Sequence, residues 1–157
     1  MGIPKSGDWN MNDYKKLEAT HFLSAYEIKS PVWQGRTNAR MPFAPWATGG
    51  VLPWYQAYNN AKHDRHDKLR QANFGNLLDA ISGLVGILSA QFYTQDFSPA
   101  APCLALSGLG GPPSGYESAI GGYFHVKFPT NWPTADRYDF DWQSPSQNAD
   151  AFQTLVL

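Results

Sequence analysis

Large apolar side chains recur at intervals of three and four residues between Phe74 and Phe92. This spacing is typical of a helix with one broad apolar face, and Asn73 is well placed to cap the first turn. We therefore predict a helix over residues 73–93. Its buried stripe is expected to contain the large apolar residues Phe74, Leu77, Leu78, Ile81, Leu84, Val85, Leu88 and Phe92.

The other side of the predicted helix carries small residues. Ser82, Gly86 and Ala90 are spaced by four positions, and Gly83 adds a second glycine. A glycine inside a helix costs about 1 kcal/mol relative to alanine, so two of them indicate tight packing. We expect this small-residue face to let another helix approach closely.

A second helix is predicted immediately before this one. Pro53 suits the first turn of a helix, and few residues from there to Leu69 oppose helix formation. Residues 53–69 and 73–93 would then form a two-helix hairpin over residues 53–93.

Alternating apolar and polar positions predict two strands within residues 122–142, one around Phe124–Phe128 and one around Tyr138–Trp142. Residues 21–29 are a candidate third strand. Residues 98–122 are mostly Gly, Pro, Ser and Ala, which predicts a long loop, and residues 1–11 a loose arm. The predicted fold is a single α-rich α+β domain over residues 1–157, with a central two-helix hairpin, a small antiparallel sheet and long loops.

The composition limits the function classes. Only 16% of the 157 residues are charged and the net charge is −1, so any nucleic-acid contact would have to be local. The one cysteine excludes an internal disulfide and a site built from several thiolates. The apolar run from Leu77 to Phe92 is too short for a membrane span, and the first 16 residues lack the apolar core of a signal peptide. A cytoplasmic protein without membrane contact is expected.

Polar and ionisable residues are concentrated before the apolar helix. If residues 53–69 form one helix, Asn59, His63, His66 and Arg70 line one side of it. Tyr58, Lys62 and Arg65 line the neighbouring side. One interpretation is a solvated helix face. The other is a site in which imidazoles carry protons and cations hold a phosphate.

Metal binding is not favoured by this segment. His63 and His66 have a spacing that can chelate, and Asp67 is near, but no clear third ligand follows. No metal and no other cofactor is predicted.

The segment "YNNAKHDRHDKLRQANFGNLLDAISGLVGIL" resembles the paired helices of HEPN (higher eukaryotes and prokaryotes nucleotide-binding) domains. The resemblance covers about 35 residues of the chain. It implies a helical bundle that forms a homodimer, and active members of the family are metal-independent ribonucleases of toxin–antitoxin and antiviral systems. Their motif is an arginine, often followed by a polar residue, with a histidine four to six residues beyond the arginine.

Carried over to this chain, the polar residue is Asn59 and the histidine is His63, while Tyr58 occupies the arginine position. The resemblance implies a catalytic group of His63, Asn59, Tyr58 and Arg65, with Arg65 or Lys62 as the replacement cation. The phosphate-binding residues would be Lys62, His66 and Arg70. Two copies at a two-fold axis would then place two His63 side chains around one phosphate.

Two function classes follow. The first is a HEPN-like RNA-processing or RNA-binding protein, with RNA and an antitoxin or other protein as partners. The second is a non-catalytic module that dimerises or binds a protein. An arginine at position 58 would have favoured the enzyme.

Overall fold

A computed structural model of the protein describes residues 10–30, 39–93, 111–120 and 122–133. These residues form a mixed α+β structure with a small antiparallel sheet. The helices are α1 (Met11–Lys15), α2 (Glu18–His21), α3 (Pro53–His63), α4 (Arg65–Lys68) and α5 (Phe74–Phe92). The strands are β1 (Glu27–Lys29), β2 (Ala39–Arg40), β3 (Glu117–Ala119) and β4 (Phe124–Lys127). Short 3-10 helices lie at Leu23–Ala25, Ala44–Thr48 and Leu69–Gln71.

The sheet has the strand order β2-β1-β4-β3, and every neighbouring pair is antiparallel. Ile28 of β1 lies opposite Val126 of β4 and Arg40 of β2. The pairing of β1 with β4 confirms the prediction that the 21–29 segment joins the strand near Phe124. Ile28 and Val126 are both fully buried, so this face of the sheet belongs to the core.

Strand β3 corrects the prediction of a loop over residues 98–122, because Glu117–Ala119 pairs with β4. Three residues are too few to show an alternating pattern, so the partner strand, not the local sequence, defines this element. The rest of that segment before residue 111 and the strand predicted near Tyr138–Trp142 lie outside the described residues. Of the predicted arm, Asn10 and Met11 are described: Asn10 caps α1, and Met11 is its first residue, which corrects the prediction at this end.

Helix α5 follows its predicted bounds, and Asn73 caps it by accepting a hydrogen bond from the backbone N–H of Asn76 at 3.0 Å. Its small-residue face is the buried one. A Cβ at Gly83 would lie 3.4 Å from both Phe43 and Trp54, and one at Gly86 would lie 3.8 Å from Phe43. The tight packing predicted from the glycines is therefore confirmed, although aromatic side chains occupy much of the space expected for a second helix.

The predicted apolar core stripe of α5 is wrong for most of its length, and Val85 is its one fully buried member. The exposed fraction is 53% for Leu77, 36% for Ile81 and 58% for Leu84, whereas Val85 is only 1% exposed. The physical reason is the volume that aromatic residues contribute from outside the helix. Large rings fit against a helix only where its own side chains are small, so the small face turns inward. The aromatic residues in this core are Tyr26, Phe43, Trp46 and Trp132.

The predicted helix over residues 53–69 is also wrong beyond His63. Asp64 has φ −133° and ψ 67°, which is outside the helical region, and it separates α3 from α4. Its carboxylate accepts a hydrogen bond from the backbone N–H of Asp67 at 3.5 Å. Aspartate is a favourable N-cap residue, so the chain ends one helix and starts another at this position.

Helices α3 and α5 are in contact. Trp54, near the start of α3, packs against Gly83 in the middle of α5 and donates a hydrogen bond from Nε1 to the Pro42 carbonyl at 2.9 Å. The connection between the helices lies at the opposite end of α3, where the polar residues are concentrated. Among the described residues, no helix is long and apolar enough to cross a membrane.

Candidate functional site

The connection from α3 to α5 contains a segment that we call the basic turn, residues 62–70. It carries four Lys or Arg residues against two aspartates, which gives a net charge of +2 with both histidines neutral. The chain as a whole has a net charge of −1, so this turn is a local exception. Lys68 is half-buried, and the other residues of the turn are exposed. The turn therefore offers a positive surface to solvent.

Four of the predicted site residues lie together on the last two turns of α3. Tyr58 is 56% exposed, and the Nζ of Lys62 lies 5.8 Å from the centre of its ring. Asn59 is half-buried, and His63 ends the helix one turn beyond it. A separation of four residues corresponds to a rise of about 6 Å along the axis, so Asn59 and His63 share one side of α3.

The other three predicted site residues do not continue that side. Arg65 and His66 belong to α4, and Arg70 lies in the 3-10 turn that follows it. Because the backbone leaves the helical region at Asp64, the predicted spacing of i, i+4, i+7 and i+11 on one helix does not hold. His66 has a 99% exposed side chain, and its Nδ1 lies 3.8 Å from a carboxylate oxygen of Asp67.

One glutamine anchors the end of this connection. The amide nitrogen of Asn60 in α3 donates to the side-chain oxygen of Gln71 at 2.8 Å. The amide nitrogen of Asn76 in α5 donates to the backbone carbonyl of Gln71, also at 2.8 Å. Gln71 thus joins the end of α3 to the start of α5, and the basic turn projects between two fixed points.

This arrangement suits contact with anions more than proton transfer. In the described part of the chain, no hydrogen bond or ion pair orients the side chain of His63, Arg65 or Arg70. Long exposed cations can neutralise phosphates without fixed geometry, whereas a general acid or base must be held in place. Over the described residues, no group of three His, Cys, Asp or Glu side chains is arranged to hold a metal ion.

The exposed side of α5 is a second candidate site, which the sequence interpretation assigned to the core. We call it the α5 apolar face, made of Leu77, Ile81, Leu84, Ile87 and Leu88. The first four are at least 36% exposed, and Leu88 is half-buried. The only charged residue of α5 is Asp79, whose carboxylate pairs with Arg40 at 2.5 Å. The signal that could have identified this face is the run of small residues on the other side.

A polar cluster on the outer face of the sheet was also missed. Tyr116 donates a hydrogen bond from its hydroxyl to the carboxylate of Glu27, and the Nζ of Lys29 lies 4.2 Å from the centre of its ring. Burial, followed by this contact with Glu27, raises the pKa of Tyr116.

His125 lies opposite Lys29 across the β1–β4 pair and is only 6% exposed. Burial lowers the pKa of His125, and the charge of Lys29 lowers it further. Alternation along β4 turns this histidine away from the core face that holds Val126. Residues of both neighbouring strands flank it, because Lys29 of β1 and Ser118 of β3 lie opposite His125.

Comparisons with known proteins find no relative of this chain. No protein-family model, no curated protein and no solved structure matches the chain. The similarity to HEPN domains therefore stays a prediction.

Proposed function

We propose that this protein is a non-catalytic interaction module that binds an apolar helix on the α5 apolar face. The observation that carries the proposal is the exposure of Leu77, Ile81 and Leu84 at 53%, 36% and 58%. These residues follow one another at helical spacing, so they form a continuous strip and not scattered contacts. A soluble monomer rarely exposes a contiguous apolar strip on one helix without a binding use.

The chemistry of the strip favours a helical partner. Anchors spaced by three and four residues match the anchors of an amphipathic helix lying alongside. Asp79 is already paired with Arg40, so no free charge on α5 selects a charged ligand. The partner should therefore present leucine-like side chains at matching spacing.

The experiment is a binding titration with a defined probe. A fluorescein-labelled synthetic peptide, an amphipathic helix of leucine and lysine with leucine at heptad positions a and d, is titrated with the protein and followed by fluorescence anisotropy. Wild type should bind, and Leu84→Asp should bind at least about 10-fold more weakly, because it places an unpaired charge in the contact.

The matched control is Val51→Asp. Val51 is 67% exposed but lies outside α5, so the substitution adds the same charge to another exposed apolar residue. Equal affinities for wild type and Val51→Asp are expected. If Leu84→Asp binds the peptide as tightly as wild type does, the α5 apolar face is not the binding surface.

A second candidate function, binding of single-stranded RNA, is favoured by the basic turn. Lys62, Arg65 and Arg70 are exposed beside His63 and His66, and the net charge of the turn is positive. Phosphate contacts release counterions, so RNA affinity should fall with salt. The double substitution Arg65→Ala with Arg70→Ala should weaken binding of a labelled oligoribonucleotide and reduce the slope of log affinity against log salt by about 1 to 2. An unchanged slope would count against an RNA contact at this turn.

A more specific version of this second candidate is that the protein also cleaves RNA at a HEPN-like site. It rests on Asn59 and His63, which lie one turn apart on α3. Activity should survive chelators, and His63→Ala should remove most of it, on the order of 10² to 10⁴. Tyr58→Arg restores the family pattern and should increase cleavage. If wild type and Tyr58→Arg both leave the RNA intact at high protein concentration, the ribonuclease is excluded and the interaction module stands.

A further inference from the structure

We infer that the helix which binds the α5 apolar face is α5 of a second copy of this chain, lying antiparallel to the first. This inference rests on the proposed function and names its partner. It depends on the order and spacing of the exposed residues along α5, on the charges of that helix, and on the area that two such faces can cover.

Four residues of the α5 apolar face have the same spacing in both directions along the helix. Leu77, Ile81, Leu84 and Leu88 are separated by four, three and four positions. Reversing the helix gives the same series for these four residues, so two antiparallel copies can align with each of the four opposite another. Ile81 of one copy then faces Leu84 of the other, and Leu77 faces Leu88. Such a contact is isologous, because each pair occurs twice about a two-fold axis.

The charges of α5 do not oppose this pairing. Asp79 is the only ionisable residue in the helix, and its ion pair with Arg40 keeps it within its own copy. Antiparallel helices also place opposite ends of the two macrodipoles together, and they hold the two basic turns at opposite ends of the contact. A parallel pair would bring the two positive turns side by side.

The area of the α5 apolar face determines how tightly the two copies are expected to bind. Helix α5 has 19 residues, which corresponds to a length of about 28 Å and, with a contact width of about 10 Å, to a footprint of roughly 280 Å². Two such footprints come to roughly 560 Å² of projected area, a small contact beside the roughly 1,200 Å² of accessible surface at which stable interfaces begin. The dimer should therefore be reversible, with a dissociation constant between about 1 µM and 1 mM.

The first experiment is sedimentation equilibrium of the full chain from about 1 µM to 1 mM. Wild type and Val51→Asp should shift together from monomer to dimer as concentration rises. Leu84→Asp should raise the dissociation constant at least about 100-fold, because the two-fold axis places one new charge in each half of the contact. Circular dichroism of each variant checks that it is folded.

Orientation is tested by cysteine crosslinking in a Cys103→Ser background. An equimolar mixture of Leu77→Cys and Leu88→Cys proteins should form a disulfide-linked heterodimer under mild oxidation. Leu77→Cys alone should not crosslink, because antiparallel pairing separates the two copies of that position by about 16 Å along the axis, beyond the reach of a disulfide.

The outcomes separate the two proposals. A wild type that stays monomeric at 1 mM, or a dimer that Leu84→Asp leaves unchanged, overturns the inference of a second copy. Crosslinking of Leu77→Cys with itself overturns the antiparallel arrangement. If the protein stays monomeric but still binds the amphipathic peptide through Leu84, the interaction module survives and its partner is another helical protein. If it does neither, both proposals fail.

Discussion

Leu84 and Val85 are adjacent in α5, yet their exposed fractions are 58% and 1%. The same substitution at the two positions therefore tests which side of the helix belongs to the core. We expect Val85→Asp to abolish stable folding and Leu84→Asp to leave the monomer folded. The periodicity of apolar residues alone would have predicted severe loss at both positions.

The magnitudes follow from the two environments. Burial of a whole valine side chain is worth about 1.5–3 kcal/mol, and an unpaired carboxylate in the core costs several kcal/mol more. Together these approach the entire free energy of unfolding of a small domain, about 5–15 kcal/mol. At Leu84 less than half of the side chain is covered, so its loss costs about 1 kcal/mol, and the lower helix propensity of aspartate adds about 0.5 kcal/mol.

The assay is urea unfolding, followed by tryptophan fluorescence and by circular dichroism at 222 nm. It is run at about 1 µM, so that self-association does not add to the stability of wild type. If Val85→Asp is insoluble, the alanine pair serves instead. Val85→Ala should cost about 2 kcal/mol, because it removes two buried carbons and leaves a cavity, whereas Leu84→Ala should cost at most about 1 kcal/mol. A Leu84→Asp protein that is as unstable as Val85→Asp would refute the assignment of the exposed face.

Two further predictions concern the buried side of α5 and the sheet. Gly86→Ala should raise the free energy of unfolding by about 0.5–1 kcal/mol, because the nearest neighbour of the added Cβ lies at 3.8 Å, while Gly86→Leu should lower it by about 1–3 kcal/mol through overpacking. A destabilised alanine variant in urea titrations would contradict this packing. The free energy of unfolding should fall as the pH drops below about 6.5, because burial lowers the pKa of His125 and the unfolded chain then binds the proton that the folded chain excludes. His125→Gln should reduce the slope of the free energy of unfolding against pH between pH 5 and 7. The slope that remains is due to His21, whose pKa burial also lowers. An unchanged slope would exclude His125 as a source.

The features that were predicted correctly depend on local signals. Asn73 at the start of α5 is a residue that caps helices, and the end at Phe92 falls where the periodic pattern stops. Strands β1 and β4 are each indicated by an alternating pattern in their own segment. In each case the information lies within a few residues of the element that it defines.

The orientation of α5 could not be predicted in the same way. Periodicity shows that the helix has two distinct faces, but which face is buried depends on what packs against it. Phe43 and Trp54 come from outside α5, and their rings need the space that Gly83 leaves. Because the partner of a helix is not encoded in its own pattern, the large residues were assigned to the wrong side.

The candidate site was predicted in part for a similar reason. Tyr58, Asn59, Lys62 and His63 share the end of α3, as their spacing indicates. The predicted stripe ends at Asp64, because this residue caps α4 instead of continuing α3. Capping and continuation differ by only about 1 kcal/mol, so the tertiary contacts of Gln71 with Asn60 and Asn76 are large enough to decide between them.

The antiparallel dimer and the composite ribonuclease exclude each other on geometric grounds. Each basic turn lies just before the start of its own α5, and antiparallel pairing places the two starts about 26 Å apart along the axis. Two His63 side chains at that separation cannot approach one phosphate, which is what a shared active site at a two-fold axis requires. A crosslink between positions 77 and 88 would therefore argue against cleavage by a composite site, whatever the affinity for RNA. The same crosslink would also change the expected mode of RNA binding. A dimer with two separate positive turns would hold a long RNA strand at two points. The affinity for RNA should therefore rise with RNA length once the strand spans both turns.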